Sequence, residues 1–130
     1  MTYYIALFFT FSLGGWLIDT AYRSFLAKKY APGTLLPYIS PIYGFGAVML
    51  ALVFRGTPDL PPTLQIAIGW ILILILEFIT GNLSIKLLNR RLWDYTPSKY
   101  DLFGHVDLIH ALYWMILISL FRFFFDKIQF

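Results

Sequence analysis

Four side chains able to hold or move a proton stand inside otherwise apolar sequence: Asp19, Glu77, Asp107 and His110. Glu77 directly follows the aliphatic run at 71–76, with Thr80 and Gly81 one turn beyond it. Asp107 and His110 are three residues apart and Asp19 and Arg23 four apart, spacings that share one face of a helix. Trp16 lies three before Asp19 on that same face. Ionisable groups next to hydrocarbon are costly; they face protein or a water-filled cavity and build ion sites and proton relays. Tyr43 supplies a phenol for such a cluster. A second chemistry is open to the same residues. Asp107 and His110 are a base and its orienter by type, and with Glu77 and Asp19 they are hard ligands for a divalent metal. The chain has no cysteine, no His-Glu-x-x-His and no nucleophile motif. Catalysis is therefore the lesser reading, and no cofactor is expected.

The elements that must position these groups are membrane helices. Of the 130 residues 59% are hydrophobic and only 13% charged, whereas a soluble domain carries roughly 25% charged residues. So few charges cannot cover a water-facing surface, and the bilayer is the solvent these residues require. The apolar runs are continuous rather than alternating, which excludes a barrel and leaves an all-α integral membrane protein. Four transmembrane helices are expected at about 2–22, 36–54, 63–85 and 105–125, forming a single domain over 1–130. Each run suits a hydrocarbon core about 30 Å thick. Gly14 and Gly15 permit close approach of a neighbouring helix. Pro32-Gly33 marks a turn. Pro37, Pro41, Gly44 and Gly46 give the second helix an irregular Pro/Gly-rich lead-in. Such backbone is tolerated at membrane depth only where protein or water covers it. Pro61 and Pro62 suit a helix start. Trp93 and Tyr95, flanking Asp94, fit an interfacial aromatic belt. Arg122 is expected to snorkel at the end of the fourth helix.

Lys and Arg number three in the first loop, one in the second, four in the third and two at the C-terminus. The positive-inside rule then places loops 24–35 and 86–104 in the cytoplasm and both termini outside. The net charge of +3 is accounted for by orientation in the membrane rather than by nucleic acid. The intramembrane polar residues fall in the cytoplasmic half. The expectation is a polar pocket open to the cytoplasm and closed towards the outside.

These residues resemble a bacterial family of small membrane proteins, the Putative ABC-transporter type IV or CmpB-type family. The matching elements are Gly15-Trp16, Asp19 and Tyr22-Arg23, then 41–46 as Pro-Ile-Tyr-Gly-Phe-Gly. Leu76-Glu77-Phe78 and Thr80-Gly81 follow, then Trp93-Asp94-Tyr95, the element at 101–104 and a late Trp114. Asp replaces the pattern's Glu at 19 and its Asn at 101, and Asp107 with His110 lies outside it. The resemblance implies transport across the bacterial inner membrane. The chain has no Gly-x-x-x-x-Gly-Lys-Ser/Thr loop, so an ATPase would be a separate chain.

The leading expectation is a permease-like protein binding an ion or small solute. Its site residues are Trp16, Asp19, Arg23, Tyr43, Glu77, Trp93, Asp94, Tyr95, Asp107 and His110. The alternatives are a membrane enzyme acting on a lipid or lipid-linked substrate, and a structural subunit that binds a partner. The expected partners are the bilayer, a second copy in a homodimer, and an ATPase or other membrane subunit.

Overall fold

The computed structural model describes residues 1–32 and 36–129. Four helices follow in chain order: α1 (Thr2–Ala27), α2 (Pro41–Gly56), α3 (Pro62–Leu88) and α4 (Leu108–Phe125). Two short strands, β1 (Asp101–Leu102) and β2 (Val106–Asp107), pair antiparallel before α4. Three helices, α1, α3 and α4, are long and apolar enough to cross a membrane. At 16 residues α2 is shorter, about 24 Å at 1.5 Å per residue. Gly33 of the turn expected at Pro32-Gly33 lies outside the described residues.

Helices α1 and α3 run beyond their expected ends. Charged residues end a hydrophobic run but not a helix, so α1 continues past Arg23 to Ala27. There Lys28 in the left-handed conformation closes it, its N–H donating to the Phe25 carbonyl. Asn89 closes α3 in the same conformation. α2 begins at Pro41, so the Pro/Gly-containing residues 41–46 are helical. Before them Leu36 and Ile39 form an isolated bridge around Tyr38, which has φ 64°. α4 begins at Leu108 because residues 101–107 form the hairpin first and Asp107 then caps the helix.

The chain divides into two compact units, residues 1–48 and 49–129. In the first, α1 and the start of α2 run antiparallel. Gly15 lies against the Tyr43 ring, and Gly44 lies against Ser12 and Phe8. The Ser40 N–H donates to the Ser12 carbonyl at 2.9 Å, which fixes where α2 starts against α1.

In the second unit α3 packs on α4 and on the end of α2. The buried residues of α3 include Gln65, Gly69, Ile73, Glu77 and Gly81, spaced four apart. Ile71, Ile75, Ile79 and Leu83 are exposed. Polar inside and aliphatic outside is the reverse of a soluble helix and suits lipid. Gly69 admits Leu50 of α2, and the Trp70 indole donates to the Ala111 carbonyl of α4 at 2.7 Å. Near the start of α3, Gln65 is 1% exposed. It donates to the Thr57 carbonyl at 2.6 Å and accepts from Arg122 Nε at 2.6 Å. Arg122 is therefore only partly exposed. Its guanidinium is drawn in over the Phe54 ring and reaches Asp126. A buried amide that would otherwise lack an acceptor's partner holds it there.

Candidate functional site

Glu77 sits eleven residues before the end of α3, about 16 Å along the axis, and is 3% exposed. The polar segment 89–107 folds back along α3 and reaches it there. The Tyr95 hydroxyl donates to Glu77 Oε1 at 3.2 Å. The Tyr95 ring stacks on His110, with centroids 4.0 Å apart and planes within 10°. His110 Nδ1 lies 2.6 Å from Asp107 Oδ1. The same Asp107 oxygen accepts the His110 backbone N–H at 2.8 Å, making Asp107 the N-cap of α4. An aspartate at this position satisfies an orphan helix donor, and here it also fixes the imidazole. With Nδ1 facing the carboxylate, the proton is assigned to Nδ1, leaving Nε2 as an acceptor.

The fold-back has an identifiable local cause. Gly81 leaves room for His105: an added Cβ would stand 2.6 Å from His105 Nδ1. The Trp93 indole donates to the His105 carbonyl at 2.9 Å, and Tyr95 N–H donates to the Gly104 carbonyl at 3.0 Å. Gly104 has φ 72° and is hemmed in by Arg91, Asp94 and Thr96, so both backbone freedom and lack of a side chain are needed there. Asp101 Oδ2 accepts the Gly104 N–H at 2.9 Å, a turn bond that an asparagine oxygen makes equally well. Trp93 and Asp94 thus shape the segment that delivers Tyr95. Thr96 N–H donates to Asp94, and that bond foremost holds the Asp94 carboxyl below its ordinary range. The Thr96 hydroxyl and the Arg91 charge act in the same direction.

In the first unit Asp19 has a similar partner: the Tyr43 hydroxyl donates to its Oδ1 at 2.7 Å. Each unit therefore pairs one helix carboxylate with one phenol from the segment that follows. Trp16 is buried, and its ring packs on Tyr38 at 5.0 Å. Arg23, one turn further along α1, is exposed. The sequence-predicted residues are thus brought together in two sets, Asp19 with Tyr43, and Glu77, Tyr95, His110 and Asp107, with Trp93 and Asp94 supporting the second. Gln65 was not among them. The signal it offered was its place in the four-residue register that ends in Glu77 and Gly81.

Chemically, a carboxylate touching a phenol can exchange a proton or coordinate a cation, and the stacked, carboxylate-held imidazole gives a second proton acceptor beside it. Among the described residues no group of three or more His, Asp and Glu side chains converges to hold a metal.

A family model described as Putative ABC-transporter type IV matches residues 6–129. The chain belongs to that family. Membership in the Putative ABC-transporter type IV family, together with the three spanning-length helices, makes this a membrane protein of transporter-like type. The match includes both carboxylate–phenol pairs and the whole fold-back segment. No curated protein and no solved structure matches the chain.

Proposed function

We propose that this protein is a permease-like chain of the bacterial inner membrane that binds an ion or small solute from the cytoplasmic side. The observation that carries the reading is the buried Glu77 carboxylate, placed within a charge-free stretch of α3 and met there by the Tyr95 hydroxyl. Buried carboxylates in spanning helices cost stability and persist where they serve ion or substrate passage. Non-helical backbone such as residues 89–107 lies beside a spanning helix where it lines a path or a site. His110 and Asp107 complete the Glu77 cluster, and Asp19 with Tyr43, flanked by Trp16 and Arg23, forms the corresponding pair in the first unit. The lead-in at 36–40 and the shorter α2 make the fourth span.

In this reading loops 24–35 and 86–104 face the cytoplasm, where six of the ten basic residues lie with Arg23 at the edge of the first loop, and both termini are outside. The 130 residues hold no phosphate-binding loop, so energy would come from an ion gradient or a separate ATPase chain, and a second copy of this chain is a natural partner for four short helices. Flux of ions and small solutes into proteoliposomes is the test. Wild type should carry at least one of them and Glu77→Gln should not. Equal flux through both would overturn the assignment.

A further inference from the structure

A second site lies on the flank of the second unit, independent of the Glu77 reading. Between the last turns of α3 and the fold-back segment is an open depression of about 470 Å³, lined by Phe78, Asn82, Arg91, Thr96, Phe103 and His105. That volume is within the range of small-ligand sites, about 300–1,000 Å³. Four of the six lining side chains can donate hydrogen bonds, and none is a carboxylate. His105 is 5% exposed, with its ring edge-to-face on Phe78 at 5.4 Å. Among the described residues the His105 ring and the Asn82 amide make no side-chain hydrogen bond, and both line the depression. Burial foremost, and then the Arg91 charge, push the His105 pKa down, so at neutral pH the ring keeps one donor and one acceptor.

Arg91 is held in place on one side, by the Phe103 carbonyl at 3.0 Å and by Asp94 at 3.5 Å. Around it residues 86–99 carry Lys86, Arg90, Arg91 and Lys99 against the single acid Asp94. Phe78 and Phe103 wall the depression with rings 6.2 Å apart, and the neighbouring exposed residues Ile79 and Leu83 are aliphatic. A guanidinium with neutral donors matches a phosphate, and the aromatic wall beside aliphatic helix matches an acyl chain. We propose that this depression seats the phosphate of an anionic phospholipid at the membrane surface. Arg91 is the ion partner there, and Asn82, Thr96 and His105 supply hydrogen bonds.

The test is native mass spectrometry of the full chain in detergent, titrated with phosphatidylglycerol, phosphatidylcholine, glycerol phosphate and inorganic phosphate. Variants Arg91→Gln and Asn82→Ala run alongside. Among the described residues the Asn82 side chain makes no hydrogen bond, so its truncation leaves folding intact. Phosphatidylglycerol should bind wild type at least tenfold more tightly than phosphatidylcholine, with at least tenfold loss in Arg91→Gln and threefold or more in Asn82→Ala. If the two soluble phosphates bind as tightly as phosphatidylglycerol, the lipid assignment is overturned in favour of a free phosphate. If phosphatidylglycerol binds wild type and both variants alike, the site itself is refuted.

Discussion

Gly81→Ala is the sharpest probe of why the polar segment folds back onto α3. The added methyl would stand 2.6 Å from His105 Nδ1, 2.9 Å from its Cγ and 3.1 Å from its Cβ. A ring alone could swing aside, but contact at Cβ means the backbone of His105 must shift, and Trp93 pins that backbone. Overpacking of this kind costs about 1–3 kcal/mol. Alanine in a helix regains about 0.8–1.0 kcal/mol over glycine. Gly14→Ala supplies the reference, because nothing lies within 4 Å of a Cβ there. Both variants share the propensity gain, so their difference isolates the clash, about 1–3 kcal/mol in the same units. Thermal unfolding in detergent should place Gly14→Ala at or above wild type and Gly81→Ala clearly below Gly14→Ala. A double-mutant cycle with Tyr95→Phe sharpens this. If the clash displaces the segment, the Tyr95–Glu77 bond is already weakened, and the second substitution costs less than it does alone. Equal stability of the two alanine variants, or strict additivity with Tyr95→Phe, would refute the reasoning.

Further outcomes follow from the same contacts. Tyr95→Phe keeps the stack on His110 and removes only the hydroxyl. It should cost about 1.5–3 kcal/mol, the range for hydrogen bonds to charged groups, read from unfolding in detergent; a change under 0.5 kcal/mol would show the bond to be unimportant. Asp107→Ala removes the α4 cap and should cost about 1 kcal/mol, with Asp107→Asn milder, measured the same way. Gln65→Leu strands Arg122 and the Thr57 carbonyl and should destabilise by about 1–3 kcal/mol, partly relieved by adding Arg122→Met.

Lowering pH should destabilise the protein through His105. Its folded pKa is depressed below 6.5, so the unfolded chain binds the proton first. The contribution is full above pH about 6.5 and is lost as pH falls through the folded value. His105→Gln should flatten the loss of melting temperature between pH 7 and 5; an unchanged slope would contradict it.

The membrane class was legible because it depends on composition alone: few charges, long aliphatic runs, and carboxylates standing out against them. Glu77, His110 and Asp107 stood out for the same reason, although Asp107, expected inside the fourth helix, closes β2 and caps α4 instead. The fold-back of residues 89–107 was not legible. It depends on Gly81 meeting His105 and on Trp93 bonding a carbonyl twelve residues away, contacts that no local period encodes. Trp93 was read as an interfacial ring because its side chain suits both roles. Helix ends were misjudged where charge was taken for termination, at Arg23 and Lys86, although a helix pays little to continue into the headgroup region. Arg122 was read as a snorkelling end group and Gln65 was not singled out, because their pairing joins residues 57 apart.

The central claim is that the buried carboxylates form a ligand site. Its most direct test is a thermal-stability screen of the purified protein in detergent against monovalent and divalent cations, anions, nucleotides and small solutes. Wild type runs beside Glu77→Gln and Asp19→Asn. A ligand at a hundredfold excess over Kd stabilises by about 2.7 kcal/mol. The account predicts at least one ligand that stabilises wild type and fails to stabilise Glu77→Gln. A screen in which every ligand acts equally on wild type and Glu77→Gln would contradict it.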